Sequence, residues 1–207
     1  MNEEYVIGVD EAGRGPLAGP VAVGAVKIID STIIDSLFVD GVRDSKKMSE
    51  RHRIFIYNTM VRYGREGRLA FSVGLVSCRS IDALGITASC TAGVGGVLQK
   101  LGVGETERID LDGRLYAPKQ FTNQQSHTRG DATYPSIALA SVVAKVTRDN
   151  RMVELGHKYP EYNFEVHKGY GTKAHYDALL RHGLSPEHRS SFLTRFLKSR
   201  KNPHDKK

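Results

Sequence analysis

Two rhythms of apolar and polar positions run along the chain. Tyr5–Asp10 reads Y-V-I-G-V-D, a short apolar run that ends in a carboxylate and is followed by glycines. Pro20–Ile29 is a second run, rich in Val and Ala. Both have the length and β-branched content of strands, and the loop 11–19 between them predicts that they are neighbours. Leu69–Val76 reads as a further strand. Arg108–Asp112 (R-I-D-L-D) is a short alternating one that again closes on a carboxylate, before Gly113. Helical spacing takes over elsewhere. Ser49-Glu50 predicts a capped helix running to about Arg62, with Gly64 as its stop. Residues 80–100 read as one helix with apolar Ile81, Leu84, Ala88, Ala92 and Leu98, weakened by glycines or closely packed because of them. Ser136–Glu154 is the clearest helix, with Ser136 as its cap after Pro135. Two smaller helices are expected near 172–182 and 186–198.

Strands mixed with helices, with no repeat and no linker, predict one α/β domain over residues 1–197. Its C-terminal helical segment spans about 172–197, and a basic, mobile tail takes up 198–207. The length of 207 residues suits one well-filled core. Hydrophobic residues at 40% and charged residues at 26% exclude wholesale disorder. No apolar run reaches membrane-spanning length, the N-terminus is acidic rather than signal-like, and two cysteines cannot build a disulfide framework. A cytoplasmic, monomeric protein is the expectation.

The net charge of +7 is unevenly placed. Residues 1–118 hold 14 basic and 15 acidic side chains, and residues 119–207 hold 16 and 8. All the excess positive charge therefore lies in the C-terminal part, which suggests a polyanionic partner such as nucleic acid. Against it stand three acidic features: Asp10-Glu11, Asp112, and Asp131 between Gly130 and Ala132. A single Asp beside Gly is ordinarily a turn residue or a helix cap. Acids recurring at element ends point instead to a cluster, which repels itself unless cations neutralise it. Oxygen ligands with no nearby Cys favour Mg²⁺ or Mn²⁺ over Zn²⁺. Asp10 and Glu11 converge only if the strand stops at Asp10, as Gly13 and Gly15 allow. The loop Gly13–Pro20 lacks the Gly-Lys-Ser/Thr ending of a phosphate-binding P-loop and the spacing of a dinucleotide fold. It is either a tight connection or a surface where a substrate can meet bare backbone.

Residues 8–20, G-V-D-E-A-G-R-G-P-L-A-G-P, resemble the opening motif of the type 2 ribonucleases H (ribonuclease HII). Further matches follow in order: Asp44–Lys47, Leu111–Gly113, Gly130-Asp131 with Pro135–Ala138, Ala144–Val146 with Arg148-Asp149, and His167–Thr172. The resemblance covers roughly residues 5–195. It implies a ribonuclease H-like fold, a mixed central sheet flanked by helices. It implies hydrolysis of the RNA strand of RNA–DNA hybrids and cutting 5′ of single ribonucleotides in duplex DNA, leaving 3′-hydroxyl and 5′-phosphate ends. Asp10, Glu11, Asp112 and Asp131 map to the family's metal-binding carboxylates, expected to hold two ions. Gly13, Arg14 and Gly15 map to the reader of the 2′-hydroxyl and adjacent phosphate. Tyr170 maps to the residue that packs on the deoxyribose 3′ of the junction. Lys46, Lys47, Lys145, Arg148 and Lys168 are candidate phosphate contacts.

Small departures accompany the match. Gly85 stands where Asn is common, which loosens that helix start. Asp110, on the same strand face as Asp112, competes as a ligand; Asp112 is preferred because Gly113 follows it. His167 and His175 lack a zinc spacing and read as structural, and His127 has no assigned role. Phe192-Leu193 and Phe196-Leu197 hint at a sliding-clamp peptide, but the Gln that opens one is missing and a packed amphipathic helix fits better. The rivals are a type 3 enzyme, which usually carries an extra N-terminal domain, and a silent nucleic-acid-binding module, which would not retain four repelling acids.

Overall fold

The computed structural model describes residues 6–38, 45 and 48–201, with side chains through residue 198. Lys46, Lys47 and the end of the basic tail lie outside the described residues. The strands are β1 (Ile7–Ala12), β2 (Val21–Ile28), β3 (Leu69–Val76), β4 (Ile109–Asp112) and β5 (Gln124–His127). The helices are α1 (Ile34–Leu37), α2 (Glu50–Arg65), α3 (Cys78–Leu84), α4 (Ile86–Lys100), α5 (Gly130–Thr133), α6 (Pro135–Lys158), α7 (Phe164–His167), α8 (Lys173–His182) and α9 (Thr194–Lys201).

One mixed sheet in the order β3-β2-β1-β4-β5 forms the middle layer. The pairs β1–β2 and β2–β3 are antiparallel, while β1–β4 and β4–β5 are parallel. The parallel pairs position the chemistry. Because β1, β4 and β5 run the same way, their carboxyl ends share one edge of the sheet. Val9 pairs with Leu111, so the next residue in each strand is Asp10 and Asp112. β5 delivers the chain to the same edge, where α5 begins with Gly130-Asp131.

Helix α4 covers one face of the sheet, packing Val94, Val97 and Leu98 on Ile7, Val9, Val23 and Leu111. Helices α6 and α2 cover the other, with Leu139, Val142 and Val143 of α6 beside Ile56 and Met60 of α2. The first half of α6 is buried on every side, as an all-apolar helix must be. Each such Leu or Val contributes roughly 1.5–3 kcal/mol by leaving water. Glycines bring α6 hard against the sheet: a Cβ at Gly24, opposite Asp10, would lie 2.5 Å from the Ala140 carbonyl oxygen. A third cluster joins Leu17 and Ala18 to Met152, Phe164, Leu179 and Leu193, fastening the loop after β1 to the C-terminal segment.

The structure corrects four expectations. Strand β1 does not stop at Asp10 but continues to Ala12. The helix read over 80–100 is two, broken at Gly85, whose φ of 78° ends α3 and starts α4. Ser136 is not the cap of α6; Tyr134 is, with Pro135 in the first turn where its missing N–H costs nothing. Helix α9 carries on through Lys201, into the stretch read as a tail. The Ser49 cap holds, its hydroxyl accepting from the His52 N–H at 3.2 Å.

Candidate active site

Strand alternation puts Gly8 and Asp10 on the α6 side of β1, and Ile7, Val9 and Glu11 on the α4 side. Asp10 is 5% exposed, and its Oδ1 accepts from the Glu11 N–H at 2.7 Å. Burial pushes its carboxyl well above the usual range, and the negative charges of Glu11, Asp112 and Asp131 push the same way. The four acids therefore share one electrostatic neighbourhood. Asp112 Oδ1 accepts from the Gly130 N–H at 2.7 Å and the Asp131 N–H at 3.4 Å, which fixes the third strand end to the fourth acid. Gly130 is the residue that allows this: a Cβ there would stand 2.6 Å from Ile137 Cδ1. Asp110 is no rival ligand. It is wholly buried, and its Oδ1 meets His127 Nε2 at 2.9 Å, which also gives His127 its role.

A groove of about 500 Å³ opens beside Asp10 and Glu11; Asp112 and Asp131 are not part of its lining. Asp10, Glu11, Gly13, Arg14, Gly15, Lys145 and Tyr170 line it, together with Ser45, Arg53 and Ser141. The last three were not assigned to the site from sequence: Ser45 lies inside the matched stretch Asp44–Lys47, and nothing in their spacing marks Arg53 and Ser141. Arg53 is held by the carbonyls of Ser45 and Met48. Arg14 leans over Glu11, Nη1 to Oε1 3.6 Å, and reaches Thr87 Oγ1 at 3.2 Å. Tyr170 is 48% exposed, a ring offered to the groove rather than a core aromatic. Lys145 pairs with Asp149 at 2.8 Å while lining the groove. Lys168 donates its ammonium to the Glu165 carbonyl.

Arg148 is a correction. Instead of reaching a phosphate it is 1% exposed, donating to the carbonyls of Pro20 (3.0 Å), Ala18 (3.4 Å) and Lys168 (2.9 Å). Its place is behind the loop, where it fills the space a Cβ of Gly13 would need. His167 and His175 are structural: their rings stack at 4.5 Å, and His175 Nε2 meets His188 Nε2 at 3.0 Å.

The acids are all oxygen donors and bear like charges, which fits a hard divalent cation. Among the described residues no three His, Cys, Asp or Glu side chains are grouped so that they could hold one metal ion. Glu11, on the other face of β1 and drawn to Arg14, is one reason the arrangement stays open. Asp10 and Glu11 beside basic and glycine-rich walls give the groove a chemistry suited to a phosphodiester.

The comparisons with known proteins agree. A family model described as ribonuclease HII matches residues 7–197. The ribonuclease HII of Caldicellulosiruptor bescii is 40% identical over 199 residues, which is 95% of this chain and 91% of that protein. The fold is shared with the ribonuclease HII of a PCNA complex from Archaeoglobus fulgidus, with a TM-score of 0.70 at 22% identity over 89% of this chain and 93% of that one. It is shared too with a ribonuclease HIII, Bst, in complex with Mn²⁺, with a TM-score of 0.62 at 16% identity over 86% and 70%. The chain belongs to the ribonuclease HII family, and its fold is ribonuclease H-like. It is a type 2 ribonuclease H, a nuclease of a family that depends on divalent metal.

Proposed function

We propose that this nuclease cuts duplex nucleic acid on the 5′ side of a ribonucleotide, whether single in DNA or within an RNA–DNA hybrid, leaving 3′-hydroxyl and 5′-phosphate ends. The observation that carries this reading is the joining of two features in one groove. Asp10 and Glu11 line it, with the charges of Asp112 and Asp131 felt at Asp10, and the bare backbone of Gly13-Arg14-Gly15 forms a wall. A 2′-hydroxyl distinguishes RNA from DNA, and close backbone approach suits so small a group.

Asp10, Glu11, Asp112 and Asp131 would hold Mg²⁺ or Mn²⁺, two ions in our reading. The cations, when bound, would neutralise the cluster and the charge developing on the phosphate. The chain's own residues orient the substrate. Arg14 and Gly15 meet the ribose and its phosphate, Tyr170 packs on the sugar 3′ of the junction, and Lys145 faces the backbone. Lys46, Lys47 and Lys168 remain phosphate contacts in this proposal. The buried free thiols of Cys78 and Cys90 suit a reducing cytoplasm. The likeness to the Archaeoglobus fulgidus enzyme of a PCNA complex supports a sliding clamp as a second partner. In this chain, however, Phe192, Phe196 and Leu197 pack inward on the C-terminal cluster.

The test is a DNA duplex carrying one ribonucleotide, incubated with and without Mg²⁺ or Mn²⁺. Cation-dependent cleavage 5′ of the ribonucleotide, lost in Asp10→Asn, is the expected outcome. Undiminished cutting by that variant would remove Asp10 from the chemistry.

A further inference from the structure

Arg189 sits in the segment between α8 and α9, and its side chain is fully buried. Its Nε and Nη2 donate to the Gly19 carbonyl at 3.0 and 2.8 Å. Nη1 donates to the Arg14 carbonyl at 2.9 Å, and Nη2 also to the Gly13 carbonyl at 2.8 Å. One planar guanidinium therefore grips both ends of the loop Gly13–Gly19. Among the described residues no carboxylate forms an ion pair with it; the carbonyl dipoles answer its charge, with the Phe192 ring 5.2 Å from the guanidinium carbon. Burial, and then the nearby Arg148, push its pKa down to about 10, so it stays charged at neutral pH.

The grip has a geometric result. A trans peptide points its N–H opposite to its C=O. Drawing the Gly13 and Arg14 carbonyls inward onto Arg189 therefore turns the N–H groups of Arg14 and Gly15 outward. Neither N–H donates to any acceptor among the described residues. Gly15 faces open space, with nothing within 4 Å of where its Cβ would be. Successive outward N–H groups of this kind make an anion- or hydroxyl-binding concavity.

Arg189 is itself fixed. The backbone N–H of Arg189 donates to the Leu17 carbonyl and the Gly19 N–H to the Glu187 carbonyl, each at 2.8 Å. Next along the chain, Ser190 and Ser191 are bound through backbone and side chain to the Asp82 carboxylate of α3. We propose that Arg189 is a positioning residue for ribose recognition, holding the Arg14 and Gly15 N–H groups toward the sugar and phosphate of the nucleic acid. This rests on the function proposed above.

Two variants test it. Arg189→Lys keeps the charge but cannot span three carbonyls, and Arg189→Gln removes the unpaired buried charge. In an Asp10→Asn background, which cuts nothing, affinity is measured for a duplex with one ribonucleotide and for the all-DNA duplex of the same sequence. Both Arg189 variants should lose tenfold or more of the ribonucleotide preference while all-DNA affinity stays within about twofold. In the Asp10-intact protein, Mn²⁺ affinity should also be unchanged. A preference equal to that of the parent, an equal loss on both duplexes, or loss of cooperative melting in both variants overturns the assignment. If the parent itself does not distinguish the two duplexes, ribose recognition fails as a function and Arg189 is not at fault.

Discussion

Two clusters of like charge flank the loop 13–20, and they are resolved in opposite ways. On one side Asp10 shares its surroundings with Glu11, Asp112 and Asp131 beside an open groove. On the other, Arg148 and Arg189 lie buried, each met by backbone carbonyls instead of acids. An uncompensated charge costs too much to bury alone. The acids crowd together at the groove, with Glu11 drawn to Arg14, in the arrangement proposed above to take up cations. The arginines receive their compensation from the chain, which makes them a scaffold. Charge counts cannot tell these cases apart; only the partner of each charge can.

Glycine substitutions break the comparison most strongly. Gly13 has a φ of 90°, and a Cβ there would lie 1.7 Å from Arg148 Nε. Gly13→Ala should cost at least about 2 kcal/mol through strain and overpacking. In a chain of this size that is roughly 4–8 °C in melting temperature. Gly15→Ala meets open space and should melt unchanged. Any activity it loses is therefore lost at the substrate, and a lowered melting point in Gly15→Ala would erase the contrast.

Next in size is Tyr170→Ala. Stacking on a sugar or base is worth about 1–3 kcal/mol, so cleavage at an RNA-to-DNA junction should fall about tenfold. Cleavage inside long hybrids should fall less, and the melting temperature should hold because the ring is half exposed. Equal losses on both substrates would deny Tyr170 its part in junction choice.

Near pH 6 the smallest effect is acid sensitivity of the scaffold side. Burial, and then the neighbouring His175, lower the His188 pKa from 6.5 to about 4. Folded His188 stays neutral while the unfolded chain takes up a proton below 6.5. Stability is therefore complete above pH 6.5 and declines as pH falls toward 4. Calorimetric scans across that window should show it, and His188→Asn should flatten the slope. An identical slope in the variant would assign the acid sensitivity elsewhere.

Legibility from sequence followed the same division. Acids closing apolar runs were readable because a strand end is a local pattern, and parallel pairing of β1 with β4 turned that pattern into proximity. The backbone-rich loop was readable because its glycines, 13, 15 and 19, lie close together. Strand β5, Gln124-Gln125-Ser126-His127, was invisible: it has no apolar residue and exists through its pairing with β4 at the sheet edge. Arg148 was read as a surface cation because a sequence shows charge and hides burial. Arg189 carried no mark at all, since its partners lie at the far end of the chain. Asp110 and Asp112 share one strand face; Gly113 favoured Asp112 in sequence, and the structure separates them by the His127 contact of Asp110 and the Gly130 contact of Asp112.

Those distances along the chain have a consequence for synthesis. The bonds from Arg189 to Gly19, Arg14 and Gly13 close loops of 170, 175 and 176 residues. The opening motif therefore leaves the ribosome long before the residue that shapes it. Contacts of such separation form late in folding. A nascent or prematurely terminated chain carries Asp10, Asp112 and Asp131 without Arg189, so the loop proposed to read ribose lacks those bonds. The ribonucleotide preference proposed for this loop is thereby tied to synthesis of the C-terminal segment.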